Sequence, residues 1–231
     1  TGLTGRYVVS ALIEHGCEVI AHIRPDSKRR THWSDYFAER GAEVDFTPWD
    51  LPSMELRMSA LQPDMAFGLL GSTRARSKQG DGRYETVDYG LTVLLIDALC
   101  AAQNSARFVY LSALGADGAL GSAYMAARKK TETYLHESGL PFLIVRPSFI
   151  TGVRDDERPM EAFAAKVMDG LMRGIGALGA NDLSARVSSI DAGDLAWAMS
   201  TVALYWQRDG QILDSADLRP WTERSLRPLE K

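Results

Sequence analysis

The sequence predicts an α/β fold, a parallel sheet wound on both faces by helices, and three observations carry that prediction. Short β-branched runs alternate with amphipathic helical stretches over the first 150 residues. The segments joining successive apolar runs have the length of crossover helices rather than of hairpin turns. Glycine or proline closes several of the runs, at Pro48, Gly71 and Pro147.

The chain opens on Thr1-Gly2-Leu3-Thr4-Gly5-Arg6 and passes directly into an apolar helical face, Tyr7, Val8, Ala11 and Leu12. The free N–H groups of such a first helical turn bind anionic oxygen. Gly2 would let the backbone approach a pyrophosphate, and Gly5 would let the helix pack close to the sheet. A turn of this kind follows a buried strand, so a strand ahead of Thr1 is expected at the centre of the sheet. Residues 17–23 then read as a strand, and 32–40 as a helix ending at Gly41. A short strand over 43–46 stops at Pro48, a helix covers 54–61, and a strand over 65–70 closes at Gly71. A long helix over 84–102, a strand over 107–111, a helix over 124–137 and a strand over 141–145 complete the regular part. The expected strand ahead of Thr1 makes the sheet six-stranded.

Beyond Pro147 the pattern loosens into a helix over 160–172, a glycine-rich polar stretch over 177–183 and a short strand over 186–190. A helix then runs from Asp191, with Asp191 or Asp194 as its cap, to about Trp206, and a last strand covers 211–213. The chain reads as a single domain over 1–231, with 148–214 as a smaller substrate-side portion. Residues 215–231, with two prolines and mixed charges, are expected as a surface tail.

Composition narrows the function. The 231 residues are 45% hydrophobic and 24% charged, ordinary values for a globular domain. A formal net charge of −4 gives no general attraction to nucleic acid or anionic membrane, so any polyanion site must be local. The longest apolar stretch, 91–102, contains Asp97 and falls short of the roughly 20 residues of a membrane span. Cys17 and Cys100 sit in apolar runs with no close partner and read as buried free thiols, which with the lack of a leader points to the cytoplasm. The four histidines show no metal-ligand spacing, so no metal is expected. No G-x-S-x-G elbow is present, which argues against a hydrolase of that type.

The second strand ends in Arg24-Pro25-Asp26-Ser27-Lys28-Arg29-Arg30. In nucleotide-binding sheets this tip meets the adenosine ribose, where an acid selects a free 2′-hydroxyl and an arginine accommodates a 2′-phosphate. Arg24, with Ser27 and Lys28, therefore favours NADP(H) over NAD(H). Asp50, just after the third strand, fits either an adenine amine or a cap for the helix that follows.

Thr1-Gly2-Leu3-Thr4-Gly5, the basic tip at Arg24, Leu70-Gly71-Ser72-Thr73-Arg74, the run Tyr110 to Ala116, and Val145-Arg146-Pro147-Ser148 lie in order at strand ends. Together they resemble the atypical short-chain dehydrogenase/reductase family. The likeness is to its NAD(P)H-binding branch, which holds the Tat-interacting-protein-like oxidoreductases and NmrA-like proteins. The likeness covers about residues 1–150 and implies a Rossmann fold. It also implies that Leu70, Gly71, Ser72 and Thr73 approach the nicotinamide ribose, and that Pro147 and Ser148 line the nicotinamide amide. Ser112 matches the serine that polarises a substrate carbonyl, and Tyr124 the tyrosine that donates the proton. The family pattern places a lysine four residues after that tyrosine, and this chain has Arg128 there. Position i+4 lies about 40° around a helix from its start, so Arg128, not Lys129, occupies the lysine's place.

Two functions follow from the resemblance. One is an NADPH-dependent reductase of a small carbonyl substrate; the other is an NADP(H)-binding regulator or scaffold with a protein partner or a homodimer. A sugar-nucleotide epimerase or dehydratase shares the sheet, but the roughly 80 residues after Pro147 are few for its substrate domain.

Overall fold

The computed structural model describes residues 1–71, 84–118, 122–152, 188–206 and 208–222. The expected helix over 160–172 and the polar stretch over 177–183 lie outside the described residues. In chain order the elements are α1 (Leu3–Glu14), β1 (Ile20–His22), α2 (Arg30–Ala38), β2 (Glu43–Asp45), α3 (Leu51–Leu61) and β3 (Met65–Gly68). A π-helical turn (Tyr84–Gly90) runs straight into α4 (Leu91–Ala101), followed by β4 (Arg107–Leu111), α5 (Ala123–Glu137), β5 (Phe142–Arg146) and β6 (Ile150–Thr151). The described chain continues with β7 (Ile190–Asp191), α6 (Ala192–Tyr205), β8 (Gln211–Asp214) and α7 (Ser215–Leu218).

Every strand pair is parallel. The order β3-β4-β5-β8 forms the main sheet, while β1 pairs with β2 and β6 with β7 in two separate ladders. The single six-stranded sheet expected above is thus found as separate ladders, with β1 and β3 not paired to each other. Val19 packs into both the α1 core and the α2 cluster, so the two sheets share one apolar interior.

Alternation along β4 and β5 sorts the core onto two faces, as period-2 side chains require. Val109, Leu111, Leu143 and Val145 meet Val8 and Leu12 of α1 and Leu195, Met199 and Val202 of α6. Phe108, Tyr110, Phe142 and Ile144 meet Met54 and Met58 of α3, Ile96 and Leu99 of α4 and Leu135 of α5. Burying each such side chain contributes about 1.5–3 kcal/mol relative to leaving it in water. This sandwich makes the α/β fold doubly wound, and it puts every β4 and β5 C-terminal end at one edge.

Local signals set the boundaries. Asp50 caps α3, its carboxylate accepting from the Ser53 N–H at 2.9 Å. Ser122 caps α5 and Asp191 caps α6, as the sequence allows. Gly16, at φ +81°, takes the left-handed conformation that ends α1, where a side chain would be strained.

Within 148–214, read above as a smaller substrate-side portion, α6 and β8 are built into the main core, to which they supply Leu195, Met199, Val202 and Leu213. Two expectations are corrected. Residues 215–222 are not a surface tail. Asp214 and Asp217 form a reciprocal capping box that starts α7, and Ser215 and Leu218 are fully buried; residues 223–231 lie outside the described residues. The cysteines are free but not buried, since Cys17 is half-buried and Cys100 exposed on α4. Among the described residues no helix is long and apolar enough to cross a membrane.

Candidate cofactor and active site

Two ends of the sheet edge offer chemistry. At the first, Gly2 is the N-cap of α1 and makes no side-chain cap, and no acid lies in the first turn. The N–H groups that open the helix are therefore available to an anion, reinforced by the helix dipole. A Cβ added at Gly2 would meet nothing within 4 Å, so the space above the turn is open. Thr1 is exposed, Leu3 half-buried and Thr4 buried. A Cβ added at Gly5 would meet Leu69 Cδ1, just past β3, at 3.9 Å, an ordinary contact. Close packing alone does not demand glycine at position 5. An open helix N-terminus with no acid in its first turn is a donor set that suits an anionic group such as a pyrophosphate.

Arg24 follows β1, two residues beyond its last paired position. Its side chain is half exposed and meets Asp26 at 3.8 Å, an ion pair that water screens heavily. A turn closed by Ser27 N to Arg24 O and Arg30 N to Ser27 O sets Ser27 and Lys28 beside it. The neighbouring cations are partly engaged, Arg29 over the Trp33 ring and Arg30 over Phe46.

Asp50 takes the capping alternative: its two oxygens accept from the Ser53 N–H and the Ser53 hydroxyl, and each keeps a second lone pair. The residues at the β2 end that sequence reasoning missed are Asp45, His22 and Trp49. Asp45 is buried and accepts from Arg57 Nε at 2.8 Å and from Thr47 Oγ1 at 2.9 Å. His22 packs edge-on to Trp49 with centroids 4.4 Å apart. Burial pushes the His22 imidazole down, against the Thr47 carbonyl and Asp45, which favour its charge. A strand-final Asp45 was the available signal.

At the other end, α5 carries Tyr124 and Arg128 toward the ends of β3 and β4. The Arg128 guanidinium lies over the Tyr124 ring at 5.0 Å and donates from Nη1 to Tyr110 Oη at 3.0 Å and to Leu111 O at 2.9 Å. Its Nη2 donates to Leu70 O at 3.2 Å and to Asp88 Oδ1 at 3.0 Å. Burial works against this cation, but the Tyr124 and Tyr110 oxygens and Asp88 outweigh it and raise the group further. Tyr124 itself is half-buried, edge-on to Tyr84 at 5.6 Å.

Ser112 is not brought to Tyr124 by any described hydrogen bond. It is buried, and its hydroxyl donates to Glu132 Oε1. Arg146 holds the same carboxylate with two bonds, Nε at 2.9 Å and Nη2 at 2.5 Å, and reaches Asp117 at 2.5 Å. That pairing raises the Arg146 guanidinium through the Glu132 bond, against desolvation. Ser112 therefore presents lone pairs rather than its single proton to any second partner. Leu70 and Gly71 sit beside Arg128, whereas Ser72 and Thr73 lie outside the described residues. Pro147 is buried with its carbonyl taken by Leu114 N at 2.9 Å, and Ser148 is tied through Oγ to Ser188 O at 2.7 Å. Asp88, Tyr110, Glu132 and Arg146 were not singled out from the sequence as site residues.

Residues 1–163 match the sequence pattern described as NAD(P)H-binding. A relative in Aspergillus terreus, named protein fmp52-1, mitochondrial, is 27% identical over 183 residues, 74% of this chain and 75% of that protein. Protein fmp52, mitochondrial, of Aspergillus clavatus is 29% identical over 186 residues, 75% and 76% of the two chains. A solved structure titled a putative NAD-dependent epimerase/dehydratase from Bacillus halodurans superposes with a TM-score of 0.67 at 16% identity. The superposition covers 95% of this chain and 94% of that one, a likeness of fold. The mitochondrial names overturn the cytoplasmic expectation: two free cysteines do not specify a compartment. With residues 1–163 matched, more than half its length, the chain belongs to the NAD(P)H-binding family.

Proposed function

We propose that the protein is an NADP(H)-dependent reductase of a small carbonyl substrate, working in a mitochondrial setting like that named for its relatives. The observation that carries the reading is Tyr124: a phenol at the start of α5, half exposed, with a permanent cation 5.0 Å from its ring. A cation there stabilises the phenolate left when the phenol gives its proton to a carbonyl oxygen. The α1 turn at Thr1 to Gly5 would hold the pyrophosphate, Arg24 with Ser27 and Lys28 the 2′-phosphate, and Leu70 and Gly71 the nicotinamide side. When bound, the nicotinamide supplies the hydride. Ser112 does not donate to the carbonyl while Glu132 holds its proton, so Tyr124 carries the polarisation.

The second reading is an NADP(H)-binding regulator with a protein partner or a homodimer. It is favoured by the commitment of both Ser112 and Arg128 to neighbouring protein groups. One experiment separates the two: NADPH oxidation against a panel of aldehydes and ketones, wild type beside Tyr124→Phe. The reductase reading expects turnover that falls roughly 100-fold or more in the variant. NADPH bound by both proteins with turnover by neither supports the regulator.

A further inference from the structure

We propose that Arg128 is a positioning residue, one that ties the ends of β3 and β4 to the π-helical turn and so fixes the backbone at Gly71, without touching the cofactor. A guanidinium offers five N–H donors in a plane. Four contacts run from Arg128 to Tyr110 Oη, Leu111 O, Leu70 O and Asp88 Oδ1, groups 17 to 58 residues away along the chain. The remaining nitrogen, Nε, is buried with no partner among the described residues. The side chain is 5% exposed and faces a fully buried Asp88. Its donors are thus spent inside the fold. A lysine ammonium at this place, a point charge with three diverging donors, cannot serve all four acceptors.

Gly71 supplies the second observation. It is exposed, and its φ lies outside the left-handed region, so the backbone does not require glycine there. An added Cβ would nevertheless lie 2.9 Å from Arg128 Nη2 and 3.8 Å from Asp88 Oδ1. The end of a long side chain normally yields to such a contact, but this one is pinned by four hydrogen bonds. Glycine at 71 leaves room for the tie, and the tie holds the strand end that faces the nicotinamide side of the site.

The cofactor half of this inference rests on the proposed function; the packing half does not. The test compares Gly71→Ala, Arg128→Lys, Arg128→Met and the double variant Arg128→Met/Asp88→Leu with wild type. It reads the thermal midpoint without cofactor and the NADPH dissociation constant at a temperature where each protein is folded. Arg128→Met should lower the midpoint by about 10 °C, since it removes the cation that faces the buried Asp88 carboxylate, and the double variant should recover most of that loss. Gly71→Ala should lower the midpoint by a few degrees, where an exposed glycine with no such neighbour would show no loss. NADPH should bind at least tenfold more weakly to Arg128→Lys and to the double variant.

Three results would overturn the proposal: Arg128→Lys binding NADPH within threefold of wild type, Gly71→Ala with an unchanged midpoint, or a double variant that regains both stability and affinity. A wild type that does not bind NADPH contradicts the proposed function and the cofactor half, while the midpoints still decide whether Arg128 and Gly71 compete for one space.

Discussion

Arg24 and Arg128 are both cations at the strand-end edge of the fold, and they differ in where their donors go. Arg24 is half exposed, with Asp26 3.8 Å away as a screened neighbour. Arg128 is buried and gives four hydrogen bonds to its own chain. An exposed guanidinium can meet a ligand's phosphate at small cost, because little protein structure depends on it. A buried one whose acceptors come from three elements holds those elements, and charge alone does not make it a cofactor contact.

The comparison is sharpened first by removing the exposed cation. Arg24→Ala should weaken NADPH roughly tenfold or more and NADH by less than twofold, read by fluorescence titration, with the thermal midpoint unchanged. Equal losses for the two cofactors would place Arg24 away from the 2′-phosphate. A smaller effect is expected at Asp50, whose carboxylate caps α3. Asp50→Ala should cost about 1 kcal/mol in urea denaturation and leave NADPH affinity alone; a loss of affinity instead would return the adenine role to it.

The smallest effect is in pH. Burial lowers the His22 imidazole from 6.5, so the unfolded chain takes up its proton at a higher pH than the folded one. In the window below about pH 6.5 the unfolded state holds more protons, and stability falls as pH drops through it. His15 shifts the same way, by desolvation, against Glu14. Chemical denaturation from pH 7.5 to 5.5 should show this decline, and His22→Gln should flatten part of it. An unchanged slope would mean that His22 is equally protonated in both states.

Local pattern sufficed for much of this molecule. The β-branched runs 107–111 and 141–145 became β4 and β5 within one residue, because strands buried on both faces must be apolar throughout. The Asp191 cap was legible for the same reason that α6 needs it: the first helical N–H groups lack partners. The π-helical turn at Tyr84–Gly90 was hidden inside a helical pattern, since both helix types place apolar residues on one face. The segment after Asp214 was misread because its prolines and charges outweighed a capping box formed by Asp214 and Asp217. Tyr124 and Arg128 could be named from the family resemblance, but where Arg128 points could not. Its partners Leu70, Asp88, Tyr110 and Leu111 are brought to it by the sheet and carry no mutual sequence signal. The donation from Ser112 to Glu132, 20 residues away, has the same origin.

The most direct measurement is a paired calorimetric titration of the wild-type protein with NADPH and with NADH, repeated at about 20 mM and 500 mM salt. An exposed Arg24 and an open α1 turn predict that both cofactors bind, NADPH at least tenfold more tightly at low salt, with the gap narrowing as salt screens the 2′-phosphate. NADH binding as tightly as NADPH at low salt, or no binding of either, would contradict the account.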